Sequence, residues 1–261
     1  MADKLFISIV TVVYNGEKTI RKTIESVLCQ EFKDYEYIIV DGLSNDNTVN
    51  IAKEYKECFE GRLRIYSEKD KGIYDAMNKG IKLAKGDYVW LVNADDWIEP
   101  DALEQIYSFH ITELKKKHSI IAGCMNLVCA DTHNIVKIGR ASIEGYKKAS
   151  NRLTMGVCHP ATIIPKSVYE SVGLYDDRYY ISADMDFVLR CYRKKAPISF
   201  LNVVLTNMMD GGISNAFPIK KNIHDIHLKV SKFCPNLIIR YFYFLLFTTK
   251  FFIIKMRGRY Y

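Results

Sequence analysis

Four apolar, β-branched runs divide the first hundred residues, and each stops at a polar or acidic side chain. They cover residues 5–13 (LFISIVTVV), 35–40, 63–66 and 88–92. A continuous apolar run of this length reads as a strand buried on both faces. The segments between them have helical spacing. Ile20, Ile24, Val27 and Leu28 share one helical face, and residues 46–55 read as a second helix. Ala76, Met77, Gly80, Ile81 and Ala84 mark a third, with a small-residue face suited to close packing. Strands alternating with helices at short spacing predict a doubly wound, mostly parallel α/β sheet.

The pattern changes after residue 117. Residues 119–128, 134–138 and 198–205 read as strands, 156–166 as a loop with a short strand, and 183–195 as a helix. This predicts a mixed elaboration of the same sheet. A chain of 261 residues, 49% hydrophobic and 26% charged, suits one large domain or one domain with an appendage, and argues against disorder. The seven cysteines are odd in number and scattered, so free thiols in a reducing cytosol are expected, with no zinc site. The opening MADKLFISIV has no long apolar segment ending in a small-residue cleavage site, so no signal peptide is expected.

Polar residues gather where the strands end: Tyr14 and Asn15, then Asp41, then Asp70, then Asp95 and Asp96. Open parallel sheets bind ligands at the carboxyl ends of their strands. No G-x-G-x-x-G follows the first strand, which argues against a common dinucleotide-binding half. Adjacent carboxylates repel unless a cation or a hydrogen-bond donor lies between them. Asp95 and Asp96 are therefore either solvated turn residues or holders of something positive.

The order of these elements resembles the family-2 glycosyltransferases of GT-A fold, inverting enzymes that take a sugar from a nucleotide diphosphate. Four stretches carry the resemblance: residues 8–48, 68–103 (EKDKGIYDAMNKGIKLAKGDYVWLVNADDWIEPDAL), 158–190 (CHPATIIPKSVYESVGLYDDRYYISADMDFVLR) and 210–214 (DGGIS). The resemblance implies that Asp96 is the last acid of an Asp-x-Asp-type motif holding Mn²⁺ or Mg²⁺. It implies that Asp95 contacts the donor's ribose or shares the metal. Asn93 stands where the family has its first acid, leaving fewer carboxylates for the cation. Asp41 and Asp70 fall at positions that recognise uracil and ribose, and Thr11, Tyr14 and Asn15 join the donor-binding set. Asn78 orients the nucleotide-side loops or packs a helix face. Asp184 matches the catalytic base, with Asp186 as second choice because it points away two residues on. His159 lies near the donor phosphates or the acceptor, or is a hydrogen-bonded core residue. Asp210, Gly211 and Gly212 begin a loop that closes over the donor, or a plain glycine turn. His224 and His227 are expected on the surface.

The resemblance implies a GT-A domain over residues 1–217, with a nucleotide-sugar-binding half (1–100) and an acceptor-side half (101–217). Residues 218–261 remain as a helical tail. Nine of the 37 Lys and Arg, but one of the 30 Asp and Glu, lie beyond Asn215, so the tail carries +8 and the rest −1. Residues 237–254 (LIIRYFYFLLFTTKFFII) are long enough to span a membrane but contain Arg240 and Lys250. An amphipathic helix on an anionic leaflet is expected, against the alternative of a helix packed on the body or in a homo-oligomer interface. The aromatics are not interleaved with the cations, which argues against nucleic acid. The implied activity is transfer from a UDP-sugar to a polyprenyl-diphosphate-linked or other saccharide acceptor, as in O-antigen, capsule or exopolysaccharide synthesis. The implied place is the inner face of the cytoplasmic membrane. The alternative is a non-catalytic nucleotide-sugar-binding or scaffold protein of the same fold.

Overall fold

The computed structural model describes residues 5–115, 117–211 and 218–256. The first half alternates as its pattern predicts: β1 (Ile7–Val13), α1 (Ile20–Leu28), β2 (Tyr35–Asp41), α2 (Thr48–Glu54), β3 (Leu63–Ser67), α3 (Ile73–Leu83) and β4 (Tyr88–Leu91). Every residue of β1, β2 and β4 is buried. These strands pair in parallel in the order β3-β2-β1-β4. Gly80 lets α3 approach the sheet, because a Cβ there would collide with Val10 Cγ1.

The second half adds β5 (Trp97–Ile98), α4 (Ala102–Thr112), β6 (Ile120–Val128), β7 (Ile135–Gly139) and α5 (Ile143–Asn151). A 3₁₀ turn (His159–Ala161), β8 (Thr162–Pro165), α6 (Lys166–Val172), α7 (Ala183–Arg193) and β9 (Ile198–Met209) follow. The sheet continues β4-β8-β6-β9-β5, with β7 on β6. β8 is antiparallel to both β4 and β6, so β6 regains the direction of β4, and β9 runs parallel to β6. Six of the nine strands therefore point one way, and the ends of β1 to β4, β6 and β9 share one edge. One apolar layer joins Ile9, Tyr37 and Trp90 to α1 and α4; the other joins Val10, Ile38 and Leu91 to α3, α6 and α7.

Two helices end the described chain, α8 (Ile219–Phe233) and α9 (Leu237–Met256). The expected division at residue 217 is not a packing boundary. Val230, Phe233 and Cys234 are buried with Leu153 and with Leu189 of α7, so α8 belongs to the body. Only α9 is an appendage. It rests on α8 through Tyr243, Phe244 and Phe247 and exposes Leu237, Ile238, Tyr241, Phe242 and Leu245. Among the described residues no helix is long and apolar enough to cross a membrane. All seven cysteines are free.

Candidate active site

The loops after β1, β2 and β3 are tied together at the shared edge. The Asn15 N–H donates to Ser44 Oγ at 2.8 Å, and the Asn45 N–H donates to Asn15 Oδ1 at 2.8 Å. Asn15 is left-handed (φ 52°), a conformation asparagine tolerates. Asp41 is fully buried and accepts from the Ser44 N–H at 3.1 Å, from the Ser67 hydroxyl at 2.6 Å and from the Ser44 hydroxyl. Asp70 accepts the Gly72 N–H at 2.9 Å, and its other oxygen lies over Gly42, where it fills the place a Cβ would take. The Tyr14 ring borders the same point, and its side chain is 60% exposed. Tyr14, Asn15, Asp41 and Asp70 thus come together. Thr11 does not join them: it is fully buried in β1, and its hydroxyl accepts from the Tyr37 phenol at 3.0 Å.

Asp95 and Asp96 follow β4 at the same edge. Asp96 is 1% exposed; its carboxylate accepts from Asn93 Nδ2 at 3.0 Å and from the Met209 N–H at 3.2 Å. Thr23 donates to its carbonyl at 2.6 Å. Burial, and then the charge of Asp95, push the Asp96 carboxyl up to about 8, and burial raises Asp95 too. Among the described residues, the hydrogen-bond donors to the Asp96 carboxylate are the Asn93 amide and the Met209 N–H, both uncharged. Asn93, in place of a third acid, gives Asp96 a hydrogen bond rather than another negative charge. A buried carboxylate beside a half-buried one suits a hard divalent cation with oxygen ligands. Among the described residues no group of three or more His, Cys, Asp and Glu could hold a metal. Two carboxylates would leave any such cation's remaining coordination to substrate oxygens and water, as is usual where a cation is shared with phosphates.

Asp184 opens α7. It accepts from the Tyr74 hydroxyl at 3.4 Å and from the Met185 N–H at 2.8 Å. Tyr74 stands in the first turn of α3, just beyond the Asp70 loop, so Asp184 belongs to the same edge. Burial, and then the charge of Asp184, raise the Tyr74 phenol well above its usual range, so it stays a donor. Asp186, the second-choice base, has another duty. Fully buried, it pairs with Arg190 at 2.7 Å and with Lys232 of α8 at 2.6 Å, and it accepts from the Tyr179 hydroxyl at 3.2 Å. His159 is 8% exposed and hydrogen-bonds the Tyr175 hydroxyl through Nε2 at 2.9 Å. Burial lowers its pKa, which the charge of Asp184 partly offsets, so it is a neutral core histidine beside the candidate base.

Asn78 makes reciprocal 2.9 Å bonds with the backbone of Tyr175 and thereby anchors the loop before α7. The Asp210 N–H donates to the Val128 carbonyl at 2.8 Å, and Gly211 is left-handed (φ 93°). Gly212 and the rest of the DGGIS segment lie outside the described residues. His224 contacts Asp225 at 3.3 Å with its side chain half exposed, and His227 packs edge-on against Phe244. Tyr74, Tyr175 and Asp225 are the site's neighbours that the motifs did not single out. Tyr74 and Tyr175 lie inside the motif stretches, but only the fold shows where their hydroxyls point.

The glycosyl transferase family 2 model matches residues 8–172. The PGL/p-HBAD biosynthesis glycosyltransferases of Mycobacterium bovis and Mycobacterium tuberculosis are 30% identical over 224 residues, 85% of this chain and 83% of theirs. An uncharacterized glycosyltransferase of Methanocaldococcus jannaschii is 28% identical over 196 residues, 72% of this chain and 65% of its own. Among solved structures, S. aureus TarS 1–349 in complex with UDP-GlcNAc superposes with a TM-score of 0.70 at 19% identity, over 87% of this chain and 66% of that one. A longer TarS chain is covered over 39% of its length. The sheet order, the acidic edge and the family match agree on a GT-A-like fold, and the chain belongs to glycosyl transferase family 2.

Proposed function

We propose that the chain is an inverting, metal-dependent glycosyltransferase that moves a sugar from a UDP-sugar to a saccharide acceptor carried on a polyprenyl diphosphate or similar lipid. The observation that carries this reading is Asp96, a buried carboxylate beside a second one, at the strand edge, with no cationic partner among the described residues. Asp96 and Asp95 would hold a divalent cation beside the donor's diphosphate. When bound, Mn²⁺ or Mg²⁺ neutralises the charge that builds on the leaving diphosphate. Tyr14, Asn15, Asp41 and Asp70 bind the base and ribose in the half formed by residues 1–100, and residues 101–217 face the acceptor. Asp184 takes the proton from the acceptor hydroxyl as that oxygen attacks the anomeric carbon. The bond to the diphosphate breaks on the opposite side, so one displacement inverts the centre and no covalent intermediate forms. The capture of Asp186 by two cations supports Asp184 over it as the base. The TarS structure with UDP-GlcNAc supports UDP as the nucleotide.

A panel of UDP-sugars incubated with the purified chain and Mn²⁺, read as UDP release, tests this. Asp96→Ala and chelation of the wild type should each abolish turnover. Full activity in excess chelator overturns the cation reading.

The membrane reading belongs to α9. Its exposed Leu237, Ile238, Tyr241, Phe242 and Leu245, with Arg240 and Lys250 on the same helix, suit an anionic leaflet. A chain ending at Asn236 keeps Phe233 and Cys234 in the core. It should stay folded and still bind donor, but lose co-sedimentation with anionic vesicles and much of its activity on a lipid-linked acceptor. Equal sedimentation of both forms overturns the membrane reading.

A further inference from the structure

The loop from Gly173 to Ser182 delivers Asp184 to the edge, and its end is held from outside the first 217 residues. Asp225, on α8, is 1% exposed. Its carboxylate accepts from three consecutive backbone amides: Tyr180 at 3.0 Å, Ile181 at 2.8 Å and Ser182 at 3.1 Å. Ser182 is the residue from which α7 starts, two before Asp184. Bonds from amides to a buried carboxylate are charge-assisted and fix geometry tightly. A second contact acts in the same sense, since Lys232 of α8 bridges Asp176 of this loop at 3.2 Å and Asp186 of α7 at 2.6 Å. At the other end of the loop Asn78 holds Tyr175 from α3.

We infer that Asp225 is a positioning residue for the transfer reaction: it fixes the chain segment that aims Asp184 at the acceptor hydroxyl. The inference rests on the reading of Asp184 as the base. Asp225 touches neither donor nor acceptor. It replaces the water that would otherwise solvate three amide donors and allow the first turn of α7 to move. A displacement of about 1 Å at a reacting group can cost about 10²-fold in rate.

The test is a double-mutant cycle on the full chain with Asp184→Asn and Asp225→Asn. Turnover is read as UDP release from whichever UDP-sugar the wild type hydrolyses with Mn²⁺, at a temperature where every variant is folded. Asp225→Asn should lower kcat about 10²-fold and leave KM for the donor within about threefold, because the donor side of the edge is untouched. In the Asp184→Asn background the same change should have almost no further effect, since two residues acting through one step are not additive. Asp225→Glu keeps the charge and moves it by one methylene. It should show a smaller fall with the same lack of additivity, and it takes the place of Asp225→Asn in the cycle if that variant does not fold. A wild-type kcat in the Asp225 variants, or additive losses, overturns the inference and leaves the base reading standing. An active Asp184→Asn enzyme overturns both.

Discussion

Asp96 and Asp186 are both almost completely shielded from water, and the molecule treats them in opposite ways. Asp186 meets a guanidinium, an ammonium and a phenol, so its charge is matched inside the protein. Asp96 meets an amide, a backbone N–H and a second carboxylate, so its charged form has no counter-charge among these partners and its proton is held more tightly. A paired buried acid serves architecture, since removing it strands its cations. An unmatched one, kept at a strand edge beside a like charge, costs folding free energy, and such acids concentrate at functional sites. Asp184 lies between these extremes, half-exposed, with a phenol and an amide as its partners.

Four experiments would break or sharpen this contrast. The largest effect belongs to the half-exposed acid between them. Asp184→Asn should cost about 10²- to 10⁴-fold in transfer while the fold and donor binding persist. If Asp186→Asn were instead the variant that folds normally and loses turnover, the assignment of duties would be reversed. Next comes stability. Asp186→Asn leaves Arg190 without its carboxylate and Lys232 with Asp176 alone, and as both reach some solvent the loss should be about 3 kcal/mol, lowering Tm by about 6–12 °C. An unchanged Tm would show that the pairing contributes nothing.

Asp96→Asn should act with the opposite sign. The folded protein holds the Asp96 proton up to about pH 8, whereas the unfolded chain releases it at the ordinary carboxylate pKa. The stability given by that proton is complete below the unfolded value and is lost as pH rises through 8. In chelator at pH 8, Asp96→Asn should therefore be more stable than wild type by up to about 5 kcal/mol, and the gap should close towards pH 4. A variant less stable than wild type at pH 8 would mean that Asp96 is matched after all. The smallest effect is in binding. If Mn²⁺ binds at Asp96 it must displace the proton that burial retains there, so its affinity should fall by up to about tenfold per pH unit as pH drops, with up to one proton released per cation. Calorimetry in two buffers of different ionisation enthalpy measures that proton. Binding with no pH dependence between 6 and 8 would remove Asp96 from the cation site.

The contrast between Asp184 and Asp186 was legible in the sequence, because two positions apart on a helix two side chains face differently. The strands β1 to β4 were legible for a related reason: continuous apolar runs bounded by polar residues have few other ways to be buried. What escaped was set by distant partners. β9 runs four residues beyond the apolar stretch that signals it, because residues 206–209 (TNMM) pair with the end of β6. α5 (IEGYKKASN) carries a glycine and mostly polar residues, and its start is fixed by Ser142 accepting the Gly145 N–H. The antiparallel insertion of β8 leaves no mark in residues 162–165 (TIIP). Asp225 looked like one acid in a basic tail, since its partners are backbone amides 43 to 45 residues away. The resemblance put Thr11 in the donor-binding set, and only its burial and its bond to the Tyr37 hydroxyl show that it faces the core.

The cross-linked loops after β1 and β2 carry a thermodynamic consequence. Asn15 bonds to Ser44 and Asn45, Gly16 to Thr48, and Glu17 to Asp46 and Asn47, all between two segments roughly thirty residues apart in the chain. These backbones surrender their freedom when the protein folds rather than when a ligand arrives. A molecule that settles between Tyr14 and Asp70 meets a wall that is already ordered, so the entropy of forming that wall is charged to folding and drops out of the affinity.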